Sequence, residues 1–197
     1  MTGSPGNGLL RLLAVLDRLE IPYMIGGSSA SSVHGVTRTT ADIDLVVKIG
    51  AHDVTLLVTE LRSDFYIDED QVRAAITHAR SFNLIHYQSS YKFDIFPLID
   101  DRYQQTQFGR RRFETSSIFT GEPLEFAISA PEDVILSKLR WFRLGGEVSQ
   151  QQWNDVLGVI AVQRNKLDLP YLREWAERLG IAILLERALD EGLNRQD

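Results

Sequence analysis

The chain has 197 residues, a formal net charge of −6, a hydrophobic content of 44% and no cysteine. This length fits one domain, or a domain with a helical extension, with enough apolar residues to bury a core. The composition excludes disulfides, zinc–thiolate centres and thiol catalysis, and it argues against a general nucleic-acid coat protein; without an apolar run of membrane-spanning length, we expect a cytoplasmic protein.

The first two thirds of the chain mix helical and strand patterns. Residues 1–8 are a tail rich in Gly, Ser and Pro. Apolar residues spaced three and four apart predict helices over 9–19, 54–61 and 72–79, and a Ser-rich start with a stop at Gly35 predicts a short helix over 28–34. Short apolar or alternating runs predict strands over 21–25, 42–47, 82–87, 91–96, 111–119 and 124–128. The last four of these strands are expected to form two hairpins.

From Pro131 onward the periodicity is only helical. The predicted helices cover 131–144, 150–163, 169–179 and 181–193. Strands in one part of a chain and helices in the other indicate an α+β fold rather than a doubly wound sheet. We therefore predict an α/β core over 9–128 and a C-terminal helical subdomain over 129–197.

A glycine-rich segment, Gly26-Gly27-Ser28-Ser29, joins the first strand to a short helix. Backbone N–H groups at a helix start bind phosphate readily, so this loop is a candidate nucleotide-binding element. A plain strand-to-helix turn is the alternative, because Gly and Ser suit such turns.

Three carboxylates interrupt apolar strands. Asp42 and Asp44 are two residues apart, so they point to the same face of their strand. Asp94 repeats the anomaly in a later strand, and together the three would form an oxygen site for Mg²⁺. Structural ion pairs to Arg38 and Lys92 are the alternative. A phosphate loop beside a carboxylate cluster indicates metal-assisted phosphoryl or nucleotidyl transfer.

Other charged residues have two interpretations each. Lys138 lies within the apolar stripe of helix 131–144, where it either extends its ammonium to the surface or lines a cleft and holds an anion; we favour the anion. Arg38 is either a surface residue in a turn or a functional residue that orients a carboxylate or binds a phosphate. Asp155 lies off the apolar face of its helix, where we expect solvation. The basic run Arg110 to Arg112, with Arg102 nearby, is more simply a solvated strand start than a contact for substrate phosphates.

Together these residues resemble the DNA polymerase beta-like nucleotidyltransferase superfamily. The likeness is greatest to its minimal branch, which includes the AbiEii-type toxins of bacterial toxin–antitoxin systems. The segments that carry it are Gly26 to Ser28, His34-Gly35, Arg38 to Leu45, Lys92 to Asp94 and Pro131 to Leu139.

The resemblance implies a mixed sheet of about five strands flanked by helices. It implies that Asp42, Asp44 and Asp94 are catalytic and hold two Mg²⁺ ions, with Mn²⁺ as a second candidate. It also implies that the Gly26–Ser29 loop and Lys138 bind the nucleoside triphosphate. Asp155 would match an accessory acid, although Gln151, Gln152 and Trp153 replace the charged pair that many members carry before that acid.

The implied activity is transfer of a nucleoside monophosphate from a nucleoside triphosphate to an acceptor hydroxyl. The implied biological role is that of a toxin with a cognate antitoxin as its partner. Transfer RNA, a protein hydroxyl and a small molecule such as an aminoglycoside all remain open as acceptors, and no membrane partner is expected. The alternative is a catalytically inactive protein on the same fold that binds a nucleotide or a partner; the presence of all three Asp residues argues against it.

Overall fold

The computed structural model describes residues 5–38 and 42–194. Its helices and strands, in chain order, are α1 (Pro5–Arg18), β1 (Tyr23–Ile25), α2 (Gly27–His34), β2 (Asp42–Val47), α3 (Val54–Leu61), β3 (Phe65–Tyr66), α4 (Glu69–Thr77), β4 (Phe82–His86), β5 (Lys92–Pro97), α5 (Arg102–Gly109), β6 (Arg112–Ser116), β7 (Leu124–Ile128), α6 (Pro131–Leu144), α7 (Gln150–Gln163), α8 (Leu169–Arg178) and α9 (Ala182–Leu193). They form two compact units. We call residues 5–25 and 42–128 the sheet unit, and residues 26–38 and 129–194 the helical unit.

The sheet unit is built on one mixed sheet of seven strands in the order β3-β4-β5-β2-β1-β7-β6. Strand β2 lies in the middle and runs parallel to β5, while β1 and β4 are antiparallel to these neighbours. Burial alternates along β2: Ile43, Leu45 and Val47 are buried, and the residues between them are half-buried. One face of the central strands therefore packs into the core while the other remains partly accessible.

The α+β class is confirmed, and each predicted helix and strand has a counterpart in the structure. The sheet has seven strands rather than about five, and β3 was missed because two residues give no periodic signal. Helix α5 was missed because its sequence is mostly polar, with only Tyr103 and Phe108 buried. The predicted tail is wrong over residues 5–8, which belong to α1; residues 1–4 lie outside the described part of the chain.

The helical unit contains α2 together with α6 to α9, and α2 packs against α6 and α7. This packing is close, since a Cβ on Gly35 would lie 2.8 Å from the backbone nitrogen of Val159. The His34 ring, which is buried, lies with Nε2 2.7 Å from the carbonyl oxygen of Ser129. The sequence predicted a single division at 128/129, whereas the structure also groups the α2 segment with the later helices.

Two buried acids at the start of α6 anchor α8. Glu132 accepts a hydrogen bond from the backbone N–H of Asp168 at 3.1 Å, and Asp133 accepts one from the Tyr171 hydroxyl at 2.6 Å. Both acids lie in the first turn of α6, where the helix dipole favours negative charge. They hold α6 in place, and α6 carries Lys138. Across residues 5–38 and 42–194, no helix is both long and apolar enough to cross a membrane.

Candidate active site

The three predicted metal ligands share one face of the sheet. Asp44 pairs in register with Asp94 on the neighbouring parallel strand, and Asp42 pairs with Lys92. Residues paired in this way project to the same face, as do residues two apart on one strand. This is the half-buried face of β2 and β5, opposite the buried residues Ile43, Leu45, Phe93 and Ile95. We call Asp42, Asp44, Asp94 and Lys92 the carboxylate face.

Lys92 supplies a cation within this face. Its Nζ lies 2.7 Å from Oδ2 of Asp94 and 3.4 Å from Oδ2 of Asp42. The hydrogen bond to Asp94 is the main reason that the pKa of Lys92 is raised. The Lys92 side chain is 41% exposed, against 15% for Asp94. The ion pairs named as the alternative at the sequence level are therefore present for Lys92.

The donor set fits a hard divalent cation in its chemistry, because carboxylate oxygens are the ligands that Mg²⁺ prefers. The Lys92 ammonium is a stand-in cation that contacts Asp42 and Asp94 at once. Within the described ranges, no three or more His, Cys, Asp or Glu side chains are grouped so that they could hold a metal ion. Asp42, Asp44 and Asp94 carry the oxygen atoms that such an ion prefers, but their side chains do not form a group of this kind, so their role as metal ligands stays a prediction.

The glycine loop begins α2 in the helical unit. Gly27 has φ of +53°, in the left-handed region that glycine adopts without strain. Gly27 is exposed and Ser28 is half-buried, whereas Gly26 and Ser29 are buried. Gly26 is the N-cap residue and has no side chain to cap the helix. The accessible part of the predicted phosphate loop is therefore Gly27 and Ser28, and Ser29 belongs to the packed interior.

Lys138 reaches this loop from α6. Its side chain is only 4% exposed, and its Nζ donates to Oδ2 of Asp155 at 2.7 Å and to Oγ of Ser28 at 3.3 Å. The interpretation that Lys138 extends its charge to the surface is therefore wrong. A buried ammonium requires a partner, and Asp155 provides the negative charge.

Asp155 accepts hydrogen bonds from two cations. Nε and Nη2 of Arg38 donate to its two oxygens, each at 3.0 Å, in addition to the bond from Lys138. Burial by itself would raise the pKa of Asp155, but the hydrogen bonds from Arg38 and Lys138 outweigh it and lower that pKa. The predicted solvation of Asp155 is wrong, because its side chain is only 8% exposed. We call Ser28, Arg38, Lys138 and Asp155 the Asp155 cluster.

Solved structures similar to this chain are nucleotidyltransferase folds. A nucleotidyltransferase-like antigenic protein from Paracoccidioides brasiliensis aligns over 93% of this chain and 92% of its own, with 18% identity and a TM-score of 0.52. ANT(2")-Ia in complex with adenylyl-2"-tobramycin aligns over 89% of this chain and 96% of its own, with 13% identity and a TM-score of 0.52. This chain has the nucleotidyltransferase fold. No protein family model and no curated protein matches it in sequence.

Within this nucleotidyltransferase fold, Gln151 is a contact that sequence reasoning missed. With its amide oxygen turned toward Arg38, that oxygen accepts from both terminal guanidinium nitrogens, at 2.9 and 3.0 Å. The sequence had marked this position only as a departure from the usual charged pair. A neutral amide here adds a hydrogen-bond acceptor for Arg38 without adding a second negative charge beside Asp155.

The basic run Arg110 to Arg112 lies between the end of α5 and the start of β6. Arg110 caps the end of α5, and Arg112 is exposed at the start of β6. The Arg111 guanidinium lies over the ring of Phe108, with its carbon 4.4 Å from the ring centroid. The predicted strand start agrees with this position, and a contact with substrate phosphates stays a prediction. Thr39 and Thr40, beside Arg38 in the sequence motif, lie outside the described residues.

Proposed function

We propose that this protein is a metal-dependent nucleotidyltransferase. It moves a nucleoside monophosphate from a nucleoside triphosphate to an acceptor hydroxyl. The observation that carries the proposal is the pairing of Asp44 with Asp94 on adjacent parallel strands, with Asp42 on the same face. Acids that share one face of neighbouring strands repel one another unless a cation lies among them, which is why this arrangement supports a metal-binding role. The nucleotidyltransferase fold is consistent with that chemistry.

The Asp155 cluster is the proposed triphosphate-binding group. Gly27 and Ser28 offer backbone N–H groups at a helix N-terminus, which favours phosphate. Lys138 donates to Ser28 and so holds positive charge at the same helix start. Arg38 adds a cationic side chain that is 29% exposed.

The proposed reaction is an in-line displacement at the α-phosphorus. The acceptor oxygen forms a bond to that phosphorus, the bond to the β-phosphate oxygen breaks, and pyrophosphate leaves. We infer that Asp94 takes the proton of the acceptor hydroxyl; its position on the half-buried face of β5 supports this role. Two divalent ions, Mg²⁺ or Mn²⁺, would supply stabilisation of the charge on the attacking and leaving oxygens when held by Asp42, Asp44 and Asp94.

Two likenesses suggest candidates for the acceptor, one to a solved structure and one in sequence. The likeness to a structure that contains adenylyl-2"-tobramycin makes an aminoglycoside hydroxyl one candidate. The sequence resemblance to AbiEii-type proteins makes transfer RNA or a protein hydroxyl another, within a toxin role that includes an antitoxin partner. These candidates differ in size and chemistry, so one labelling experiment separates them.

The test incubates the full chain with each of the four nucleoside triphosphates, labelled at the α-phosphate, and Mg²⁺. Separate reactions contain total RNA, lysate protein or an aminoglycoside. We expect label on one acceptor class with the wild type and none with Asp44→Asn, which removes one proposed metal ligand. Asp100→Asn is the matched control, because Asp100 is an exposed acid in the same unit.

The outcome assigns the function. Label on RNA supports the toxin role, and co-expression with a neighbouring gene product that abolishes toxicity would identify the antitoxin. Label on an aminoglycoside supports the small-molecule role. Absence of label on all acceptors, with retained triphosphate binding, would contradict the proposal and favour an inactive nucleotide-binding protein on the same fold.

A further inference from the structure

The carboxylate face contains a cation that belongs to the chain itself. Lys92 pairs in register with Asp42 and stands two residues before Asp94, so all three side chains share one face. Its ammonium contacts Oδ2 of both acids. We infer that Lys92 is a tethered counter-ion that occupies the carboxylates when no divalent ion is bound and must leave them before one can bind. This inference rests on the proposed function.

The position of Lys92 follows from strand alternation rather than from core packing. Phe93 and Ile95 are buried on one side of β5, which turns Lys92 and Asp94 to the other. A lysine at this register therefore places its ammonium among the acids. Its ammonium lowers the electrostatic repulsion between Asp42 and Asp94, both of which it contacts. Lys92 thus stabilises the carboxylate face in the absence of metal.

The same contacts make Lys92 a competitor of the metal. A divalent ion would bind the oxygens of Asp42 and Asp94, and the ammonium contacts an Oδ2 atom of each. Both cations cannot hold the same oxygens at bonding distance, because their charges repel. Binding of metal therefore requires the ammonium to swing away from at least one carboxylate.

Lys92 is suited to leave. Its side chain is 41% exposed, in contrast to the 4% of Lys138. An ion pair with so much solvent around it is weak, and a flexible four-carbon stem lets the ammonium move into water. Its register neighbour on β4 is Ile85, which is also exposed, so the chain does not enclose Lys92 on that side.

The test measures Mn²⁺ binding to the full chain without nucleotide, by electron paramagnetic resonance of unbound Mn²⁺ and by isothermal titration. Lys92→Met keeps the apolar stem and removes the competing charge, so we expect about 1.5- to fivefold tighter Mn²⁺ binding, the scale of an exposed ion pair. Lys92→Arg keeps the charge and adds a planar fork, so its affinity should equal or fall below that of the wild type. Lys48→Met is the matched control, because Lys48 is exposed and directly follows the far end of β2.

Tighter binding in Lys92→Met alone supports the inference. Equal affinity in the wild type and Lys92→Met would overturn it, and so would weaker binding, which would make Lys92 a support for the ligands. Either result leaves the proposed function standing if label transfer still requires Asp44. Absence of Mn²⁺ binding in all variants, together with absence of label transfer, would overturn the inference and the proposed function together.

Discussion

The sheet unit and the helical unit each contain a cluster of charges, and the two differ in how those charges are held. On the carboxylate face, one exposed lysine contacts two of three acids. In the Asp155 cluster, one buried acid accepts bonds from two cations. The first cluster lies on the accessible side of strands whose other side is buried, whereas the second is packed among helices.

Because of this difference, the two clusters should contribute unequally to the stability of the protein. Exposed ion pairs contribute little to folding, so the carboxylate face can change its cation at low free energy. A buried charge that loses its partner destabilises the protein strongly, so the Asp155 cluster is fixed in its arrangement. Substitutions in the carboxylate face should therefore affect activity alone. Substitutions in the Asp155 cluster should affect both activity and stability.

The largest expected loss of stability follows from Asp155→Asn. The buried Lys138 would keep its charge without a full negative partner, and Arg38 would lose a charged acceptor. Breaking a buried pair in this way lowers the free energy of unfolding by about 3–5 kcal/mol. Urea unfolding followed by circular dichroism measures it.

Glu186→Gln is the control for this substitution. It removes a carboxylate from a pair with Arg173 in the same unit, but that pair is exposed, with more than half of each side chain accessible at 54% and 56%. We expect a change close to experimental error. An equal loss in Asp155→Asn and Glu186→Gln would contradict the distinction between the two clusters.

A smaller loss is expected for Lys138→Met. The apolar stem remains, and Asp155 keeps its two bonds from Arg38. Loss of a hydrogen bond to a charged group lowers the free energy of unfolding by about 1–3 kcal/mol. Triphosphate affinity with Mg²⁺ present should fall on the same scale, as measured by isothermal titration. Unchanged affinity would show that Lys138 is a structural partner of Asp155 and not a phosphate ligand.

The elements of the fold could be predicted where the sequence has a period. Helices α3, α6 and α7 have the predicted bounds because apolar residues recur along one face of each. Strand β2 was recognised because its acids alternate with Ile43, Leu45 and Val47. Helix α5 carries few apolar residues and gave no such signal.

The site could be predicted only where its residues are close in sequence or in register. Asp42 and Asp44 are obvious candidates because a period of two places them together. The solvation predicted for Asp155 was wrong because the helical period of α7 does not indicate which other elements pack against that side of the helix. Its partners Arg38 and Lys138 lie 117 and 17 positions away, and only tertiary packing brings them to it.

Acidic pH should lower the free energy of unfolding of the wild type more than that of Asp155→Asn. The folded pKa of Asp155 lies below its usual value of 3.8, so its stabilisation is complete above about pH 4 and is lost as pH falls through the lowered pKa. The difference in free energy of unfolding between the two proteins should therefore shrink between about pH 4 and pH 2. Urea unfolding across that range measures it. A difference that stays constant down to pH 2 would contradict the assigned pairing.

Asp44→Asn should have the smallest effect on stability although it abolishes transfer. Asp44 lies in register beside Asp94, and removing one of two neighbouring like charges relieves repulsion, so the free energy of unfolding should stay equal or rise. In the wild type, Mg²⁺ should strengthen triphosphate binding, because three acids against one lysine leave the carboxylate face with a net negative charge that repels the phosphates. In Asp44→Asn this dependence on Mg²⁺ should weaken, whereas Asp100→Asn should behave like the wild type. A large drop in stability for Asp44→Asn would instead assign Asp44 to a structural ion pair, and the contrast between the two charge clusters would disappear.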